Sequence, residues 1–323
     1  MCSIGGFIAS KPISAKSAES LCTALLYYGR ERGDQSGGLY VNKKLFKKAM
    51  DPYLLTQEPE YDALFDKPVK AALIHTRQPT CGGRGDDQAQ PFVSGEAATV
   101  HNGWFLNIDN IKKTWDIKKS SGVDSELVTE FVANYGIMKL PKFLRSVSGS
   151  AAFGILYNKE LYLMRDGNPT FWTTVDFGDV QVFLFASTGR MLANAMRFAW
   201  LIPNDHPIKE TKEGILFRCD PKIGLQKLST KSFTKSFTYA DKSKHLYANR
   251  FPGHYSGDPW GYGSDDEEIA ALRRDLGDYA EIIRASDITH ESRILDEASG
   301  NEPDSKYDDI RYFTPHRKSN TED

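Results

Sequence analysis

The chain has 323 residues, 40% of them hydrophobic, 12% aromatic and 26% charged, which is enough apolar material for a substantial folded core. A formal charge of -2 excludes the overall basic excess of a nucleic-acid binder, and the four cysteines, Cys2, Cys22, Cys81 and Cys219, form no CxxC pair of a zinc or disulfide framework. Apolar runs fall far short of the roughly 20 residues of a membrane helix, and the first residues lack the layout of a signal peptide. A cytoplasmic protein is expected, without a metal, cofactor, membrane or nucleic-acid partner.

In chain order, short alternating or β-branched runs predict strands at 3–9, 38–41, 69–75, 97–101, 151–157, 161–164, 180–186 and 215–218. Helical spacing predicts helices at 17–28 and 124–135. The succession SAAFGILY, NKE, LYLMRD reads as a hairpin, which demands antiparallel pairing and counts against a doubly wound parallel sheet. Residues 1–250 read as one domain and 251–263, rich in Gly, Pro and aromatics, as a connector. Residues 264–323 carry 17 acidic and 8 basic side chains, net -9, against net +7 for the rest. In this tail a capping pattern at Ser264 and an apolar stripe through Ile269, Leu272, Leu276, Tyr279 and Ile283 predict a helix. The end, beyond Gly300, is polar and expected to be loose.

Chemistry concentrates at the beginning of the chain. Removal of Met1 before the small Cys2 would put a thiol and a free α-amine on one residue, a nucleophile with its own base. An α-amine titrates near pH 7.7 to 8 in unperturbed peptides, so part of it is neutral at pH 7. A buried structural cysteine is the competing reading. Downstream lie RGDQSGG at 32–38, IHTRQPTCGG at 74–83, HNGWFLN at 101–107 and GVDSELV at 122–128. Asn102 and Gly103 alone would signal a tight turn, and Asp124 alone would read as a helix N-cap. His75 and His101 read as packing residues.

The ordered set CSIGGF, RGDQSGG, HTRQPT, HNGWFLN and VDSE resembles the class II glutamine amidotransferases, N-terminal-nucleophile hydrolases that open with a cysteine. In that family these places read CGIxG, RGxDSxG, HTRWAT, HNGxIxN and SDTE. VSGSAAFGIL, LYLMRDGNP and FLFASTGRML also fit, so the resemblance covers roughly 2–228. It implies a four-layer αββα sandwich of two antiparallel sheets, with Cys2 at the start of a central strand. It further implies hydrolysis of L-glutamine to glutamate and ammonia through a Cys2 thioester, with Asn102 and Gly103 as the oxyanion donors. Arg77 would grip the α-carboxylate, Asp124 the α-ammonium, Thr80 would contact substrate and Arg32 would support the nucleophile. Gln78 and Cys81 stand where the family commonly has an aromatic residue and a histidine, and Gln35 where RGxD carries its acid. Ammonia would pass to a separate acceptor synthase, for which the acidic tail is a candidate docking element. The rival expectations are a hydrolase of another γ-glutamyl amide and a non-catalytic interaction protein that retains the fold.

Intact-mass measurement of the mature chain is expected to show loss of Met1; retention would leave Cys2 without the amine this chemistry requires.

Overall fold

The computed structural model describes residues 2–78, 83, 85–118, 120–200, 202 and 205–228, together with the backbone of two further strands at Ala280–Arg284 and Arg311–Pro315. The chain divides into two units, 1–234 and 235–323. In the second, the two strands pair antiparallel, Ile282 opposite Phe313. Ile283, the last position of the expected helical stripe, therefore lies in a strand, as does the segment at 311–315 expected to be loose. The connector, the capping pattern at Ser264 and the rest of the stripe lie outside the described residues.

In the first unit, β1 (Ser3–Ile13) leads into α1 (Ala15–Gly29), whose Ser14 side chain caps the helix by accepting from the Ser17 N–H at 3.1 Å. There follow β2 (Ser36–Val41), β3 (Lys44–Lys48), the short helices α2 (Pro52–Leu55) and α3 (Pro59–Asp62), then β4 (Val69–Arg77), β5 (Phe92–Ser94) and β6 (Ala97–Phe105). Helices α4 (Ile108–Trp115), α5 (Glu126–Tyr135) and α6 (Leu140–Arg145) precede strands β7 (Gly149–Tyr157), β8 (Glu160–Asp166), β9 (Phe171–Phe177) and β10 (Val180–Ala186). Last come α7 (Gly189–Trp200) and strands β11 (Lys209–Glu210), β12 (Phe217–Asp220) and β13 (Gly224–Lys227).

Two antiparallel sheets result, in the orders β11-β9-β10-β1-β4-β2-β3 and β13-β12-β8-β7-β6-β5. Side chains alternate between strand faces, so each sheet feeds two apolar layers. On one side of the first sheet Phe7, Ile74 and Leu184 pack with Leu21 and Leu25 of α1 and Leu192 of α7. On the outer side of the second, Phe105, Phe153 and Met164 pack with Phe131 of α5 and Phe143 of α6. Between the sheets Ile4, Ile8, Leu73, Phe183 and Phe185 meet Val100, Ala152, Leu161 and Leu163. This is the αββα sandwich, with β1 central in its sheet.

The sheets approach closely where the Phe185 ring sits over Gly154: a Cβ there would lie 2.4 Å from Cζ of that ring. Gly154→Val is therefore expected to destabilise the fold by about 1–3 kcal/mol through overpacking, read as a lower urea midpoint with an unchanged slope.

Candidate active site

Face parity assembles the site. Ile4 and Ile8 of β1 point between the sheets, so Cys2 points there too; Leu73 of β4 fixes the same face for His75 and Arg77, and Val100 of β6 fixes it for Asn102. The register pairs Ser3 with Thr76 and Ile4 with His75, which brings the Cys2 end of β1 beside the Arg77 end of β4. Across the gap between the sheets, His75 Nε2 lies 3.2 Å from the His101 carbonyl oxygen. Cys2, Arg77 and Asn102 thus gather where the apolar filling of the sandwich gives way to polar side chains, and all three are buried.

The Cys2 thiol lies 3.6 Å from the Gln78 carbonyl oxygen, and the Cys2 carbonyl accepts from Arg32 Nε at 3.0 Å. Burial pushes the thiol above its ordinary range; the positive charges of the amino terminus and Arg77 oppose this, and Asp124 reinforces it. The fields of Arg77 and Asp124 both reach the sulfur, with opposite effects on it. A thiol held neutral in this way needs a base to become a nucleophile.

Asn102 and Gly103 do not form the turn their dipeptide suggests. They continue β6, opposite Ala152 and Ala151 of β7. Asn102 Nδ2 is buried without a hydrogen-bond partner among the described residues, an expensive condition for an amide donor in an apolar setting. The His101 and Phe105 N–H groups both point to the β5 edge, donating to Gln90 Oε1 at 2.8 Å and to Asp124 Oδ2 at 2.7 Å. Alternation aims the Gly103 N–H at the same edge, where pairing with β5 ends at Thr99. Only glycine fits at 103, since a Cβ would lie 2.1 Å from the Ser150 carbonyl oxygen.

Asp124 does not cap α5. Ser125 holds the N-cap position and makes no capping hydrogen bond, while the Asp124 carboxylate turns towards β6. Arg77 Nη1 donates to the Gly83 carbonyl at 2.9 Å. Gln88 Oε1 accepts from Gly122 N–H at 3.0 Å and from Gly83 N–H at 3.4 Å, linking the segment after Arg77 to the one that carries Asp124. Thr80 and Cys81 lie outside the described residues.

Sequence reasoning passed over the supporting network. Gln90 bonds both the N–H and the carbonyl of His101 and donates to Ser125 Oγ at 3.0 Å, and that hydroxyl lies 2.8 Å from His101 Nδ1. Ser187 Oγ accepts from the Ile4 N–H at 2.9 Å, and Asn168 Nδ2 donates to the Asn102 carbonyl at 3.0 Å. Both sit inside segments matched as motifs, FLFASTGRML and LYLMRDGNP, but neither residue type carries a signal of its own there. Among the described residues no cluster of His, Cys, Asp or Glu could hold a metal ion, and no helix is long and apolar enough to cross a membrane.

Residues 77–194 match the glutamine amidotransferase domain family. Among curated proteins, the chain is 26% identical over 184 residues to 7-cyano-7-deazaguanine synthase 2 of Sulfurisphaera tokodaii, covering 53% of this chain and 40% of that protein. It is 26% identical over 218 residues to the glutamine–fructose-6-phosphate aminotransferase of Acinetobacter baylyi, covering 64% of this chain and 34% of the relative. The chain thus spans well under half the length of these relatives. Among solved structures, the glutamine phosphoribosylpyrophosphate amidotransferase of B. subtilis superimposes with a TM-score of 0.54 at 19% identity, over 72% of this chain and 50% of that one, a likeness of fold.

Burial lowers the pKa of His75 from the ordinary 6.5 to about 3, with Arg77 adding to the effect and the hydrogen bond to His101 opposing it. His75 is therefore neutral in the fold but takes up a proton below about pH 6.5 when unfolded, so its contribution to stability is lost as pH falls from 6.5 towards 3. Melting temperature is expected to drop between pH 7 and pH 5, and His75→Gln to flatten that drop.

Proposed function

We propose, from the class II glutamine amidotransferase domain that this chain carries, that it hydrolyses the γ-amide of L-glutamine, with Cys2 as nucleophile and the ammonia passed to a separate acceptor enzyme. The observation that carries this reading is the buried Asn102 amide, without a hydrogen-bond partner among the described residues, on the same inter-sheet face as Cys2 and Arg77.

Glutamine presents an α-carboxylate, an α-ammonium and a neutral amide. Arg77 takes the carboxylate in the bidentate geometry a guanidinium allows. Asp124 takes the ammonium, and the amide then lies at the Cys2 sulfur. The α-amine freed by loss of Met1 accepts the thiol proton as sulfur bonds to the carbonyl carbon of the γ-amide. The carbonyl electrons move to oxygen, where Asn102 Nδ2 and the Gly103 N–H receive them; preorganised donors of this kind are worth about 3–4 kcal/mol each. Collapse of the adduct breaks the carbon–nitrogen bond as the ammonium of Cys2 protonates the leaving nitrogen. Water, deprotonated by the same amine, cleaves the thioester to glutamate. Arg32, bonded to the Cys2 carbonyl, holds the nucleophile in place. Relatives named as a synthase and an aminotransferase support an acceptor of nitrogen beyond this domain. The acidic 264–323 segment is the part proposed to meet it.

The test is ammonia release from L-glutamine. Cys2→Ala is expected to abolish it with an unchanged melting temperature, Asn102→Ala to lower kcat about 100- to 1000-fold, and Asp124→Asn to act chiefly on KM. Full activity of Cys2→Ala would remove the nucleophile assignment, and equal turnover of glutamine and γ-glutamyl conjugates would broaden the substrate.

A further inference from the structure

The two oxyanion donors are joined by a single peptide group, with the Asn102 carbonyl at one end and the Gly103 N–H at the other. The N–H faces the open β5 edge, and the carbonyl, on the side of β6 paired with β7, accepts from Asn168 Nδ2 at 3.0 Å. A carbonyl can only accept, so it is the amide nitrogen of Asn168 that faces β6, and that nitrogen also meets Ser150 Oγ at 3.0 Å. Asn168 is itself anchored. Arg165 Nε donates to the Thr211 carbonyl at 2.6 Å and its Nη1 to the Asn168 carbonyl at 3.4 Å, while Gly167 bridges to Ala151, the register partner of Gly103.

We propose that Asn168 is a positioning residue for amide hydrolysis: its donated hydrogen bond orients and polarises the Asn102–Gly103 peptide, so that the Gly103 N–H is a fixed and strengthened donor to the oxyanion. The inference rests on the reaction proposed above. Two properties of the peptide group carry it. Its planarity makes an anchor on the oxygen an anchor on the N–H, which matters at a glycine, the residue least restrained by its own side chain. A hydrogen bond accepted by a carbonyl also draws electron density to the oxygen and leaves the attached N–H more positive, and linked hydrogen bonds reinforce one another by about 10–30%. Asn168 touches no substrate in this scheme, so its removal acts on the transition state.

The experiment compares wild type, Asn168→Leu and the isosteric Asn168→Asp in glutamine hydrolysis and in inhibition by glutamate γ-semialdehyde. That aldehyde adds to a thiol to give a tetrahedral adduct whose oxygen occupies the oxyanion position. The Leu variant is expected to lose about 10-fold in kcat, part of the 10²–10³ a full oxyanion donor supplies, with KM for glutamine within about twofold. Affinity for the aldehyde should fall by the same factor as kcat, and the Asp variant, which sets an acceptor against the carbonyl, should lose more. If Asn168→Leu does not fold, the Asp variant, which keeps the shape, decides alone. Unchanged kcat in a folded variant overturns the proposal, as does a KM that rises in step with the fall in kcat. An inactive wild type overturns the parent reaction instead.

Discussion

Polar side chains survive between two packed sheets only where each finds a partner or awaits one, because the apolar filling offers nothing in exchange for lost water. In this sandwich the inter-sheet layer of Ile4, Leu73, Phe183, Phe185 and Val100 ends at Cys2, Arg77 and Asn102. Every property of the site follows from that border. Burial keeps the thiol protonated and His75 neutral, leaves the Asn102 amide without a partner among the described residues, and lets the charges of Arg77 and Asp124 act on the sulfur.

The arrangement is held by side chains that bind backbone atoms. Cys2 is fixed through its carbonyl by Arg32, Ile4 through its N–H by Ser187, and β6 through the N–H groups at 101 and 105 by Gln90 and Asp124. The Asp124 carboxylate thus both holds β6 through the Phe105 N–H and acts electrostatically on the Cys2 thiol.

Much of this was legible in the amino-acid sequence because strand periodicity is a local property. Runs such as ALIH and AAFGILY announce their two faces, and the order of the motifs conveyed the fold. What escaped has physical reasons. The strand at Phe171–Phe177 lacks clean alternation, mixing Trp, Thr and Asp, and α7 is hidden behind a glycine and a polar start. Asn102 and Gly103 read as a turn because the propensity of Asn-Gly is strong, yet pairing with Ala151 and Ala152 overrides it. Gln90, Ser125 and Asn168 act through contacts far apart in sequence, on which local pattern is silent.

The short β5 has a further meaning. A strand edge left unpaired ordinarily invites another extended segment, and proteins blunt such edges to avoid aggregation. Here β5 stops at the level of Thr99, and the rim of β6 that it leaves unpaired is plugged on either side of residue 103, by a glutamine side chain before it and a carboxylate after it. The stretch left between these two plugs is too short for another strand to pair with, so the same side chains that hold β6 also close its edge to stray partners.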